Sequence, residues 1–441
     1  MSPWEIVESP GHRVSLVEDC IGVECPTELN PIAQRLLRIH ALQYELTSSP
    51  YSHDIIELAI ATIISLPLSQ QDETALVWLL IVGPPSSDKT SSVLLLKTSP
   101  AIYYVDSVTE NFLASGYRDQ KGRRAPNLLR ELDGKCFVIK ELSTVFSMRS
   151  EKVRAFLGDL QAIFDREYHK LTGTIGRVGG GAAFSVLACV TPSALVEHHG
   201  YMAKIGSRFL MYQVPQLTEE ERQTGLEILW EESETRKQKL VELRKLVAAH
   251  VKDLLDSPPT LEPETPKQRE IINRLAELMA HGRTVLRSQQ LVDPDTGEKK
   301  YELEMVQREE PFRVHQQLRT LARALARVHV RSRITDHELE LVRRVALGSL
   351  AADRARVLGL LPDHPEGLTA ESCAKGIGKG ESRARQLLKE LVLIGLLEEG
   401  RNDSKGGRPG TIYRPTPKFA DLLTRPLKPL DHLLDLSQSE D

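Results

Sequence analysis

The sequence predicts an α/β fold organised around a parallel sheet, and three observations carry the prediction. Between Ala75 and Pro215, short β-branched or apolar runs alternate with helical stretches, the order that crossovers between parallel strands require. The first run ends in a tight turn, Gly83 to Thr90, that leads straight into a helical pattern. From residue 311 to 351 the texture is wholly helical, and residues 352–420 then read helix, helix, helix, strand, glycine-rich turn, strand. At 441 residues, with roughly 150 per domain, the chain has room for two to four units.

Residues 1–50 form an N-terminal extension in which PIAQRLLRIHALQYEL is a short helix. SSPYSHD is a turn, with Asp54 or Ser52 as the cap of an apolar helix DIIELAIATIIS. The α/β core spans 51–216. Its runs ALVWLLIVG, AIYYVD, KCFVIKEL, AFSVLACVTP and RFLMYQVP alternate with KTSSVLLLK, VTENFLAS and EKVRAFLGDLQAIFDRE. An insertion over 217–310 opens on one long charged helical pattern from Thr218 to about Leu255. SPPTLEPETP, with four prolines, cannot continue that helix. A second helix, KQREIINRLAELMAH, precedes two segments flanking DPDTGEK, a hairpin turn. The helical lid is 311–351, the C-terminal module 352–420, and the tail 421–441.

Hydrophobic residues make up 41% and charged residues 27%, enough for a sizeable core and against global disorder. No apolar run approaches the roughly 20 residues of a bilayer span, and MSPWEIVESPGHR lacks the basic-then-apolar order of a signal peptide. The five cysteines, Cys20, Cys25, Cys136, Cys189 and Cys373, are scattered without a CxxC pair, which supports neither a disulfide framework nor a zinc site. A cytoplasmic protein with no membrane partner is expected. The net charge of −4 gives no global attraction to nucleic acid, so such binding must come from local patches.

The sharpest motif is Gly83-Pro84-Pro85-Ser86-Ser87-Asp88-Lys89-Thr90, which follows the phosphate-loop pattern G-x-x-x-x-G-K-[ST] except that Asp88 stands for the second glycine. A tight loop between strand and helix aims backbone N–H groups at phosphate, and Lys89 neutralises its terminal oxygens. Thr90 would hold Mg2+ beside ATP. Asp88 brings a negative charge close to the phosphates, so affinity is lowered or the site is degenerate. The partner strand is Cys136-Phe137-Val138-Ile139-Lys140-Glu141, four apolar residues closing on an acid. Glu141 would order the metal shell and polarise water. A surface Lys-Glu pair ending a buried strand is the plainer alternative.

With these two motifs in order, the chain resembles the AAA+ ATPases, most closely the MCM-like branch and related phage or mobile-element replication ATPases, over roughly residues 50–350. SVLACVTP resembles the sensor-1 strand, with Thr191 where MCM proteins carry asparagine. Gly206-Ser207-Arg208-Phe209-Leu210 resembles the motif whose arginine completes a neighbouring subunit's ATP site, and Pro311-Phe312-Arg313 resembles the sensor-2 arginine. YHKLTGTIGRVGGGAAF looks like an inserted hairpin that touches DNA in a pore, through Lys170 and Arg177. The resemblance implies ATP and Mg2+, single-stranded DNA, and a homo-oligomer with a hexamer among its forms. By their residues alone, Arg208 could close a strand-edge ion pair, Arg313 could be a surface arginine, and the glycine-rich segment could be a mobile loop. Adjacent His198 and His199 diverge on a helix and read as structural.

Residues 352–420 resemble a winged helix, with GGRPG as the wing. Lys379, Arg383 and Arg385 lie on the part of the third helix that would enter the major groove of duplex DNA, and Arg401, Lys405 and Arg408 would meet phosphates. Between Lys375 and Lys418 there are ten Lys or Arg and five Asp or Glu. From Arg313 to Arg356 there are ten arginines and four acids, positioned to face DNA or a neighbouring subunit. The expected function is an ATP-dependent DNA-remodelling motor, an oligomeric ring helicase of plasmid, phage or mobile-element replication. The alternatives are a nucleotide-binding, DNA-binding scaffold that does not hydrolyse, favoured by Asp88 and Lys140, and a helicase loader or regulator.

Overall fold

A computed structural model describes residues 30–47, 49–108, 113, 128–172, 176–197, 208–230, 233–292, 299–402, 410–427 and 430. Strands β1 (Trp78–Val82), β2 (Ile102–Val105) and β3 (Cys136–Ile139) precede an antiparallel hairpin, β4 (Glu167–Thr172) and β5 (Gly176–Gly181). Strands β6 (Ser185–Val190) and β7 (Phe209–Gln213) follow. β1, β2, β3, β6 and β7 make a five-stranded parallel sheet in the order β2-β3-β6-β1-β7. The chain is therefore an α/β protein built on a parallel sheet.

These strands read as unbroken apolar runs because both faces of the sheet are covered. Every residue of β1, β3 and β6 is buried. Successive side chains alternate between two cores. Leu79 and Ile81 face the long helix Ser52–Gln71 and the helices beyond it, while Trp78, Leu80 and Val82 face the helix Ser150–Ile163. Trp78 donates its indole N–H to the Phe184 carbonyl at 2.9 Å, which satisfies its one polar atom.

Ser52–Gln71 departs from expectation twice. It runs on through Pro67 to Gln71, and it is long and apolar enough to cross a bilayer by length and composition. The helix is 94% buried over its most apolar window, so its uniform hydrophobicity serves a core that surrounds it.

The charged stretch after Thr218 is two helices, Glu219–Ile228 and Ser233–Asp256, each shorter than the single helix expected. The second lies along the N-terminal helix Pro31–Leu46, joined by Arg35–Asp253 at 2.5 Å and Lys239–Glu45 at 2.9 Å. Leu36, Ile39 and Leu42 share one apolar core with Val247 and Val251, so packing does not pause at residue 50. A capping box on Thr265 and Gln268 starts the helix Pro266–Gly282 after the proline-rich break. The hairpin β8 (Val285–Val292) and β9 (Lys299–Gln307) follows, then helices Phe312–Val328 and Asp336–Gly348. The C-terminal module holds helices Ala352–Leu358, Ala370–Ile377 and Glu381–Leu393 and the antiparallel pair β10 (Leu397–Asn402) and β11 (Gly410–Pro415).

The arginine-rich run does not present its charge outward as expected. Arg327, Arg331, Arg343, Arg344 and Arg354 are all buried. Arg344 pairs with Asp54 at 2.7 Å, Arg343 with Glu340 at 2.8 Å, and Arg354 donates to the Gly282 and Thr284 carbonyls. Some acceptors come from distant segments, so a local count of charges could not find them.

Candidate functional site

In a parallel sheet all strands end at one edge, and the loops there converge. β6 lies between β1 and β3, which sets those two strands about 10 Å apart. Gly83 leaves β1, Thr191 leaves β6, and Lys140 and Glu141 leave β3. The three loops therefore emerge side by side at this edge.

The Gly83–Thr90 loop turns through two left-handed residues, Ser86 (φ 62°) and Asp88 (φ 57°). Asp88 thus occupies backbone space that glycine adopts at least cost, though aspartate is among the side chains that tolerate it. Gly83 donates its N–H to Val190 O at 3.2 Å, and a Cβ there would come within 2.6 Å of Ser87 Oγ. Ser87 Oγ and Lys89 Nζ both donate to the Pro84 carbonyl, at 2.9 and 3.0 Å. Pro84 and Pro85 bring no N–H donors. The donors the segment can turn toward an anion are the amides from Ser86 to Ser91, together with the Lys89 ammonium. The helix itself, Lys89–Leu94, is only six residues and tightens into i→i+3 turns through Lys97.

Glu141 and Thr191 are coupled through Ser143, which sequence reasoning missed. Glu141 Oε1 accepts from the Ser143 N–H at 3.2 Å, and Ser143 Oγ lies 3.2 Å from Thr191 Oγ1. The buried Cys189, in β6, marks where the parts meet. Its Sγ lies 3.7 Å from Lys89 O, and its thiol is pushed up to about 12 by burial, with Lys89 opposing, Glu141 adding and Thr90 opposing. Lys140 turns the other way, to Asp106 at the tip of β2, at 3.4 Å. A hard cation would find Thr90 and Glu141 on this edge.

Arg208 and Arg313 stand elsewhere. Trp78 pairs with Phe209 and Val82 with Gln213, so Arg208 precedes the sheet at the edge where β1 begins. The length of β1 puts it about 17 Å from its own Gly83 loop. Its guanidinium lies 5.6 Å from the centre of the Phe164 ring and 3.9 Å from Asp165, and its Nε is buried without a hydrogen-bond partner. Burial lowers its pKa, nearby Arg313 adds to this, and Asp165 and Glu309 oppose. Arg283 and Glu309, 3.8 Å apart, complete this group. Burial pushes Arg283 down to about 10 and Glu309 up. The sequence named Arg208 and Arg313 but gave no sign of Arg283 or Glu309, which come from the insertion.

The DNA-contact candidates fare unevenly. Lys170, expected to reach DNA, pairs instead with Asp159 of the helix Ser150–Ile163 at 3.0 Å. Gly179 (φ 134°) is required in the β4–β5 hairpin, since a Cβ would fall 1.9 Å from Tyr168 O. Arg177 lies on β5, and its side chain is outside the described residues. Lys379 and Arg383, expected to reach a groove, are both held by Asp353 at 3.0 Å. Arg385 pairs with Glu381 at 2.6 Å. Arg401 is exposed on β10, while Lys405, Arg408, most of the GGRPG segment, Gly206, Ser207, His198 and His199 lie outside the described residues.

No family model and no curated protein matches this chain. The functional reading therefore rests on these residues and their arrangement.

Proposed function

We propose that the chain is an ATP-dependent DNA-remodelling motor of the AAA+ kind, an oligomeric ring helicase whose C-terminal module is a winged helix. The observation that carries this reading is the convergence of Gly83–Thr90, Glu141 and Thr191 on three adjacent parallel strand ends, with Ser143 joining the last two. Lys89 already donates to a carbonyl oxygen of its own loop, a contact that a phosphate oxygen can replace. ATP and Mg2+ fit this donor set, because an ammonium, a hydroxyl and a carboxylate stand around one edge.

Thr90 and Glu141 would hold the magnesium ion, which when bound neutralises developing phosphate charge. Glu141 orients the attacking water through the oxygen that Ser143 leaves available, and Thr191 fixes its position. Arg208 is too distant to serve its own site, so it completes the site of a second copy, and Arg313 beside it acts on the same neighbour. The β4–β5 hairpin, tied part-way along β4 by Lys170–Asp159, is the element that hydrolysis would move against DNA.

The test is displacement of a strand from a forked DNA duplex. Wild type should displace it only with ATP, and Lys89→Ala should not. Displacement independent of ATP, or none at all with turnover indifferent to DNA, would overturn the helicase reading.

A second reading is an ATP-binding scaffold that does not hydrolyse. The observations that favour it are the carboxylate of Asp88 beside Lys89, the two prolines that remove loop N–H donors, and Lys140, turned to Asp106, where a second acid would stand.

A further inference from the structure

Apart from the residues assigned to ATP, three helical segments bring two histidines and one buried carboxylate together. Glu57 comes from Ser52–Gln71, His329 caps the C-terminal end of Phe312–Val328, and His337 lies in the first turn of Asp336–Gly348. Glu57 is 0% exposed and His329 3%. Glu57 Oε2 lies 3.1 Å from His329 Nε2 and 3.4 Å from His337 Nε2, and the candidate donor atoms of all three residues fall within 4.8 Å of one another. The two imidazole rings meet edge to face, 4.8 Å between centroids.

We propose that Glu57, His329 and His337 bind a divalent transition-metal ion of the zinc class, which ties the two lid helices to the central helix. Two imidazole nitrogens and one carboxylate oxygen are a donor set that zinc prefers. Ligands held at about 2.0–2.1 Å around a tetrahedral ion stand about 3.3–3.4 Å from one another. The two observed separations require a shift of a few tenths of an ångström at most.

A second, independent feature points to the ion. His329 Nδ1 lies 2.5 Å from Glu338 Oε1, and Glu338 is itself held by Arg331 at 2.7 Å and by the Thr335 hydroxyl at 2.6 Å. A carboxylate behind a histidine is how ligating imidazoles are oriented, with the proton on the nitrogen away from the metal. That leaves the His329 Nε2 lone pair on the Glu57 side, 3.1 Å from Oε2 but without a hydrogen bond to it, in a buried position. A metal ion bound by both groups would take up that unpartnered nitrogen. His40 Nε2 lies 3.0 Å from the other Glu57 oxygen, where it steadies the carboxylate. The site uses none of the residues assigned to ATP and stands whether or not the motor reading does.

The test uses the full chain, stripped with a chelator and titrated with zinc(II) and then cobalt(II) in the absence of nucleotide. About one zinc per chain should bind, with a rise in melting temperature that chelator reverses. Cobalt(II) should give the visible bands of a four- or five-coordinate nitrogen and oxygen site. His329→Ala and His337→Ala should each weaken zinc binding by more than about a hundredfold, and Glu338→Gln by about ten- to a hundredfold. Folded wild type that takes up no zinc, shows no cobalt bands and melts alike with and without chelator would overturn the proposal. Undiminished zinc affinity in both histidine variants would overturn it as well.

Discussion

Lys89 donates its ammonium to the carbonyl of Pro84, five residues earlier, at 3.0 Å. The side chain that would meet phosphate is thus already folded over the loop, in a buried position and beside the left-handed Asp88. A ligand there exchanges one oxygen for another instead of pulling a solvated lysine inward.

Asp88→Gly should therefore raise both stability and affinity. Glycine relieves about 1 kcal/mol of left-handed backbone cost, and loss of the carboxylate removes repulsion from bound phosphates. A higher melting temperature is expected, with ATP bound at least about fivefold more tightly, the equivalent of 1 kcal/mol. Unchanged affinity in a stabilised variant would mean that phosphates do not sit by residue 88.

Arg208 lies at the opposite edge of the sheet from Gly83, in a group with Arg313, Arg283 and Glu309. Arg208→Ala and Lys89→Ala should each abolish turnover alone. Mixed together, they should recover part of it, because one supplies the phosphate loop and the other the arginine. No recovery from a mixture shown to co-assemble would count against a shared site.

Glu264 accepts from Arg319 at 2.8 Å and from Arg323 at 3.2 Å. Burial raises its pKa, but the two arginines and a backbone hydrogen bond outweigh it and hold the carboxyl at about 2, below its ordinary 4.5. A depressed carboxyl stabilises the fold above its unfolded pKa, and that contribution is lost as pH falls from 4.5 toward 2, at no more than about 1.4 kcal/mol per unit. Wild type should melt well above Glu264→Gln near neutrality, with the gap closing across that window. Parallel melting curves against pH would contradict the assignment.

The elements with one clear period were legible. The runs around Trp78, Cys136, Ser185 and Phe209 are strands because burial on both faces leaves no polar alternation to confuse them. Glu141 and Thr191 could be named because each ends an apolar run. Ser143 could not, since its role depends on β6 lying beside β3. The arginines misled for the converse reason: Asp54 answers Arg344 from 290 positions away, and Asp353 answers Lys379 from across a turn of the C-terminal module. The Glu57–His329–His337 group was invisible because no spacing in the chain hints at it.

The most direct measurement is steady-state ATP hydrolysis, with and without single-stranded DNA, on wild type beside Lys89→Ala and Glu141→Gln. The account predicts turnover that DNA stimulates and that both substitutions abolish, with Glu141→Gln still binding ATP. Wild-type turnover no greater than that of the two variants, with nucleotide bound, would contradict it and leave a scaffold in place of a motor.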